Sequence, residues 1–320
     1  MNAKLGLIDV DGHNYPNLAL MKLSAWHKAH GWSVEWYTPF EEYELVYKSK
    51  VFSFTPDYTD VINSYRIISG GTGYAIKGAG GEHYDPQLDK PLADEVEHIC
   101  PDYSIYGIKD TAYGYLTRGC PRGCSFCIVA KKEGKCSCKV ADLSEFWSGQ
   151  RNIVLNDPNI LACPQRDELI GQLVASRAWV DFNQGLDARM ITDDGIAQRL
   201  ASVKTKEVHF AWDRIDDEDA VLRGLRLFTK YSNKPHGHNA IVYVLTNHGT
   251  TIEQDLYRIY TLRALGYWAY VMIYDKEHAS ADHRRMARWC NNRFIFSQCP
   301  RFEDYENKNI QYPQQLKIFS

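Results

Sequence analysis

The residues best suited to chemistry are three cysteines inside one eight-residue stretch, Cys120-Pro-Arg-Gly-Cys124-Ser-Phe-Cys127. Four thiolates normally hold a 4Fe-4S cluster, so three of them on one loop leave one iron without a nearby protein ligand. An iron open in this way can bind and activate a second molecule, which a closed structural site cannot do. The competing expectation is a zinc knuckle, which needs a fourth Cys or His at finger-like spacing. Cys136 or Cys138 could supply it. Otherwise those two are expected to be thiols without a ligand role, an auxiliary cluster or redox pair being the alternative.

The spacing Cys-x3-Cys-x2-Cys, with the aromatic Phe126 directly before the third cysteine, resembles the signature of the radical S-adenosylmethionine (radical SAM) superfamily. The resemblance implies that Cys120, Cys124 and Cys127 hold a 4Fe-4S cluster whose open iron chelates the amino and carboxylate groups of SAM. It also implies that one electron cleaves SAM to methionine and a 5′-deoxyadenosyl radical, supplied by a reductant such as flavodoxin or ferredoxin. The substrate is not implied, because no motif names a nucleic acid, a peptide or a metabolite.

Composition sets the outer bounds. A chain of 320 residues suits one large or two modest domains with a buried core. Its net charge of −3 argues against a general polyanion binder, while leaving nucleic-acid contact through a local basic patch open. No apolar run approaches the roughly 20 residues that span a bilayer, so no membrane partner is expected. The N-terminus lacks the basic-then-apolar pattern of a signal peptide. Nine cysteines, an odd number with three tightly bunched, fit reduced thiols in the cytoplasm better than a disulfide framework.

The elements that must position the thiols follow an α/β rhythm. Tyr113–Thr117 precedes the cysteines, and apolar or β-rich runs recur at Asn152–Leu155, Val180–Asn183, Val208–Trp212, Ala240–Leu245 and Tyr267–Tyr274. Helical patterns lie between them, at Asp167–Ser176, Thr192–Ser202 and Asp216–Tyr231, and after a capping-box candidate Thr250-x-x-Glu253. Such alternation predicts right-handed βαβ crossovers and a parallel sheet. Six strands match the partial (β/α)6 TIM-type barrel of the superfamily that the cysteines resemble, over residues 113–276. A tail at 277–320 is expected to pack on it; its arginines suit either salt bridges on a solvated helix or the mouth of the barrel.

Residues 1–81 read as a small Rossmann-like α/β layer, with strands at Leu5–Val10, Ser33–Tyr37, Lys50–Phe54 and Arg66–Ser69 and a helix from Asn17. Residues 82–112, polar and broken by Pro86, Pro91 and Pro101, read as a linker. The six glycines between Gly70 and Gly81 match neither a phosphate loop nor a dinucleotide fingerprint and suggest a structural turn or junction. The layer also resembles the cobalamin-binding-type domain that precedes many radical SAM barrels, through its first strand, Tyr15-Pro16 and Gly70-Gly71. The cobalt-ligating pattern of that domain, Asp-x-His-x-x-Gly, is met by Asp11 and His13 but ends in Pro16. The layer is therefore expected to be a scaffold rather than a cobalamin site, with a cobalamin-dependent methyltransferase as the alternative.

In parallel β/α barrels the chemistry sits at the C-terminal ends of the strands. The polar residues there are Asn156 and Asp157, Gln184 to Arg189, Asp213, and Asn247 with His248, although strand ends carry polar turn residues in any case. With SAM implied, Arg189 suits its carboxylate, because a guanidinium fork matches carboxylate geometry. Asn156 or Asp157 is placed like the superfamily residues that receive the SAM amino group, although the usual Gly-Gly-Glu is absent. Asp187 and Asp213 suit ribose hydroxyls or the substrate. Gln184 faces the same mouth, and Asn247 with Tyr270–Tyr274 suits the adenine.

Overall fold

A computed structural model describes residues 3–77, 83–235 and 239–305. It is a mixed α/β protein built on parallel sheets. No helix among the described residues is long and apolar enough to cross a membrane.

The first layer contains β1 (Lys4–Asp9), α1 (Leu18–Ala29), β2 (Ser33–Trp36), β3 (Leu45–Ser49) and β4 (Ile67–Gly70), in the all-parallel order β2-β1-β3-β4. Asn17 starts α1 by accepting the Leu20 N–H, which satisfies one of the open donors of the first turn. The third strand differs from the expected Lys50–Phe54. Leu45 and Val46 are the residues buried against β1, whereas the aromatic run beyond them is a loop with Phe54 83% exposed. Two of the clustered glycines have a steric reason. A Cβ on Gly71, at φ +106°, would meet the Lys50 carbonyl oxygen at 2.3 Å, and one on Gly73 would meet the Lys50 side chain at 2.7 Å. Residues 78–82, with the remaining glycines, lie outside the described residues.

The second unit runs through β5 (Thr111–Gly114), β6 (Asn152–Leu155), α2 (Arg166–Ser176), β7 (Trp179–Phe182), α3 (Asp194–Ser202), β8 (Val208–Ala211) and α4 (Glu218–Tyr231). It continues with β9 (Ala240–Thr246), α5 (Ile252–Ala264), β10 (Trp268–Ile273), α6 (Ala281–Asn291) and α7 (Arg293–Gln298). Strands β5-β6-β7 form one parallel sheet and β8-β9-β10 another, joined by a parallel bridge between Leu186 and Phe210. Helix α5 starts at Thr251 with Gln254 closing the capping box, one residue beyond the expected pair.

One face of these strands is buried by the helices, through Ile153, Val180, Phe210, Val242 and Val244. The alternate residues are not: Tyr113, Val154, His209 and Tyr243 are half-buried and Asp181, Tyr270 and Met272 are exposed. Parallel sheets covered on both faces read as continuous apolar runs, so the alternation marks a sheet covered on one side only.

Residues 83–110 stitch the two units together. Trp36 donates its indole N–H to the Ile105 carbonyl at 2.9 Å, and Tyr103 donates its hydroxyl to the Phe146 carbonyl at 2.6 Å. In the C-terminal helices Arg293 pairs with Glu207 at 2.6 Å, and Arg285 binds the Phe302 and Tyr305 carbonyls. Residues 306–320 lie outside the described residues.

Candidate functional site

The expected strand before the cysteines is split in two. After β5, residues Thr117–Arg118 pair antiparallel with Cys138–Lys139 and open a hairpin whose tip carries the three thiols. Asp157, at the end of β6, fixes the base of this hairpin. Its carboxylate accepts the Leu116 N–H at 3.1 Å, the Thr117 N–H at 2.5 Å and the Thr117 hydroxyl at 2.7 Å. Burial pushes its pKa up to about 6 against the pull of those donors. Gly119 then turns at φ +84°, and a Cβ there would lie 2.1 Å from the Cys136 carbonyl oxygen, so the hairpin closes only around glycine.

Across from the loop lies the turn that follows β7. Asn159 donates to the Cys120 sulfur at 3.5 Å and to Asp187 at 3.2 Å. Arg122, inside the cysteine stretch, donates to the same Asp187 at 2.8 Å. Arg189 donates from Nε to Asp187 at 2.6 Å and from Nη1 to Asp217 at 2.6 Å. Asp187 is thus held by two arginines, and both lower its pKa against the desolvation that raises it. Helix α4 comes close enough to clamp this turn because Gly224 has no Cβ; one would sit 1.9 Å from the Ala188 carbonyl oxygen.

Asp213, past the end of β8, receives no hydrogen bond from a described residue, and burial pushes its pKa up to about 6. Burial also raises the Cys124 and Cys127 thiols, with the Asp213 charge adding to both and Arg189 opposing it at Cys124. On the third side, Phe126 meets the His248 ring edge-on at 5.4 Å, and His248 meets Tyr274 at 4.7 Å. Asn247, at φ +61°, donates to the Tyr274 carbonyl at 2.8 Å.

No protein-family model matches the chain, and neither does any curated protein.

The structure thus gathers Cys120, Phe126, Asp187 and Arg189 into one region, with Asp213 near Cys124 and Cys127. Asn156 is bonded to Asn183 at 3.0 Å on the adjoining strand end, and Gln184 is exposed beside a cleft on the open sheet face. Asp157 is engaged with the hairpin, and the Arg189 fork is filled by Asp187 and Asp217. No three His, Cys, Asp or Glu side chains among the described residues converge on the position of a single metal ion. Cys136 and Cys138 are exposed, and Cys163 is buried.

Sequence reasoning missed Asn159 and Arg122, and it missed a clamp beneath the site. Arg258 and Asp255 on α5 are fully buried and paired at 2.5 Å. The Arg258 guanidinium also donates to the Trp212 carbonyl at 2.6 Å and the Leu245 carbonyl at 2.7 Å. It thereby ties together the ends of β8 and β9. The only sequence signal was an i,i+3 Asp–Arg pair, which looks the same on a solvated helix face.

Proposed function

We propose that this chain is a radical SAM enzyme in which Cys120, Cys124 and Cys127 hold a 4Fe-4S cluster and SAM lies between their loop and the ends of β7 to β9. The observation that carries this function is a loop of three thiols set against a polar strand-end region holding Asp187, Arg189, Asp213 and His248. When bound, the cluster would supply the electron that cleaves SAM.

The chain's own residues then have separable tasks. The Asn159 amide keeps an N–H on the Cys120 sulfur, a contact of the kind that tunes cluster potential. Arg122 docks the loop onto Asp187. Phe126, His248 and Tyr274 offer an aromatic edge suited to adenine, and Asp213 an open acceptor for ribose hydroxyls. Binding the SAM carboxylate at Arg189 would require exchange of one of its present partners. We read the six sequential parallel strands, helix-covered on one face, as a partial (β/α)6 barrel. We read the N-terminal layer as scaffold, where His13 lies on the Trp36 ring at 4.1 Å with Tyr106 edge-on.

The test is anaerobic reconstitution with iron and sulfide, followed by SAM and dithionite. Wild type should hold about four irons per chain, the stoichiometry of one 4Fe-4S cluster, and form 5′-deoxyadenosine. Alanine at Cys120, Cys124 or Cys127 should abolish both, while alanine at Cys136, Cys138 or Cys163 should preserve both. Stoichiometric zinc with no iron would sink the proposal.

A further inference from the structure

Two thiols outside the cysteine loop open into one cleft. Cys136 and Cys138 are exposed on either side of Ser137, which is only 2% exposed. Side chains alternate between the two faces of an extended strand, so the buried serine turns both thiols outward on the same side. The cleft they share has a volume of about 520 Å³, with Asp142, Gln165 and Glu168 on its walls. Hydrogen bonding to Cys136, ahead of desolvation, raises the Cys138 thiol, so the two sulfurs are within reach of each other. Cys163, the nearest other cysteine in sequence on this side, is buried and donates to the Gln165 side chain at 3.3 Å.

The backbone holds this pair open. The Ser137 hydroxyl donates to the Asn159 carbonyl at 2.8 Å, and Cys138 lies opposite Arg118 in the antiparallel ladder. The Cys136 carbonyl oxygen sits where a Cβ on Gly119 would meet it at 2.1 Å. In extended backbone, residues two apart have Cα atoms about 6.6–7.2 Å apart. A disulfide bridges about 4.4–6.8 Å, so joining the two sulfurs requires the strand to contract and the Ser137 anchor to give. The fold therefore favours the dithiol, and a disulfide formed against that preference is readily reduced again. Asn159 also donates to the Cys120 sulfur at 3.5 Å, which places the anchor one residue's width from the cysteine loop.

We propose that Cys136 and Cys138 form a thiol–disulfide exchange site, a dithiol at rest that is oxidised by low-molecular-weight disulfides. One thiol loses its proton and its sulfur attacks the oxidant, whose S–S bond breaks to release one small thiol. The second thiol, deprotonated in turn, attacks the resulting mixed disulfide and expels the other small thiol. Two electrons pass from the protein sulfurs to the oxidant, and the two protons leave with the departing thiols. As a redox site the pair stands on these contacts alone. As a control on the cysteine loop it rests on the function proposed above, because contraction of the strand draws Asn159 away from Cys120.

The test is anaerobic equilibration of the full-length protein in buffers of glutathione and glutathione disulfide, followed by acid quenching, alkylation and trypsin digestion. Cleavage after Lys135 and Lys139 releases Cys136–Lys139 as a tetrapeptide, which separates this pair from every other cysteine. Its internal disulfide is recognised in the mass spectrum as the unalkylated form lighter by two hydrogens. The folded chain should reach half oxidation only at a glutathione ratio at least about tenfold more oxidising than the urea-unfolded chain, because the fold opposes closure. Ser137→Ala should recover about two- to tenfold of that difference, the worth of one hydrogen bond. The inference would be overturned by a pair that stays alkylated throughout, links to Cys163 or the cysteine loop, or carries glutathione separately on both sulfurs. Equal ratios in the folded and unfolded chains, or an unchanged ratio in Ser137→Ala, would overturn it as well. Reversible oxidation of the tetrapeptide in a protein that forms no 5′-deoxyadenosine would instead overturn the proposed reaction and leave the exchange site intact.

Discussion

Two parallel sheets in this chain end in polar loops at the carboxyl ends of their strands, and they differ in how completely those groups are held. In the N-terminal layer Asp9 accepts the Tyr106 hydroxyl at 2.6 Å, and Asp11 accepts the Val51 N–H at 2.5 Å. Asn17 donates to the Ser49 hydroxyl at 2.8 Å while capping α1. In the second unit Asp157 and Asp187 are held as firmly, but Asp213 accepts no hydrogen bond from a described residue, and burial raises two of the three thiols. Buried polar groups are normally satisfied, and unsatisfied titratable groups gather where ligands bind. On the function proposed above, the same topology makes a scaffold in one unit and a site in the other, according to whether the loops complete their own hydrogen bonding.

The sharpest way to break this contrast is through the ion-pair network at Asp187. Removing both Arg122 and Arg189 by alanine substitution leaves a carboxylate that is only 7% exposed without its cations. Stability should fall by about 3–5 kcal/mol, the usual cost of stranding a buried charge. Arg189→Ala alone should keep the fold, because Arg122 remains, but weaken SAM about ten- to a hundredfold. Urea denaturation and SAM titration measure the two effects. Wild-type SAM affinity in the single variant would move the carboxylate contact elsewhere.

A smaller effect separates the hairpin base from the chemistry. The folded-state pKa of Asp157, about 6, lies above its ordinary value of 3.8, so the native state holds this proton more tightly than the unfolded chain. Its contribution to stability is therefore greatest below about pH 4 and declines as pH rises through about 6, by on the order of 2–3 kcal/mol in all. Asp157→Asn should flatten that decline in denaturation midpoints measured across the range. A stability that rises between pH 4 and 6 for this residue, judged by the variant difference, would refute the assignment.

The smallest change is expected in the scaffold. His13→Ala should alter stability by less than about 1 kcal/mol, since the ring is exposed and contributes mainly packing on Trp36. Equilibrium dialysis should show no retention of hydroxocobalamin in wild type or variant. Tight binding lost in His13→Ala would turn the scaffold into a second site and erase the contrast.

Much of this architecture was legible because periodic apolar patterns report directly on which face is buried. The runs at Asn152–Leu155 and Ala240–Leu245 fall on β6 and β9, and Asp167–Ser176 and Asp216–Tyr231 fall on α2 and α4, all within a residue or two. The Lys50–Phe54 run misled because aromatic, β-favouring residues there are exposed in a loop, a choice made by burial of Leu45 and Val46 and not by local propensity. Within the site, the cysteine spacing and the Asp187–Arg189 turn were readable from residue type. Asn159 was not: an amide donor that finds the Cys120 sulfur across 39 positions leaves no local pattern. Nor was Arg258, because burial of a charged helix residue depends on carbonyls supplied by two distant strand ends.

That same arginine bears on the order in which the site is completed. The cysteine loop is synthesised well ahead of α5, on the order of ten seconds at about 5–20 residues per second. Until Arg258 emerges, the ends of β8 and β9 are held by their own ladder, which reaches the Trp212 N–H on the Tyr243 carbonyl, and the Trp212 and Leu245 carbonyls lack the guanidinium that joins them. During synthesis the thiols therefore meet the surrounding solution before they meet their finished pocket, and any agent that captures them has its widest access in that interval.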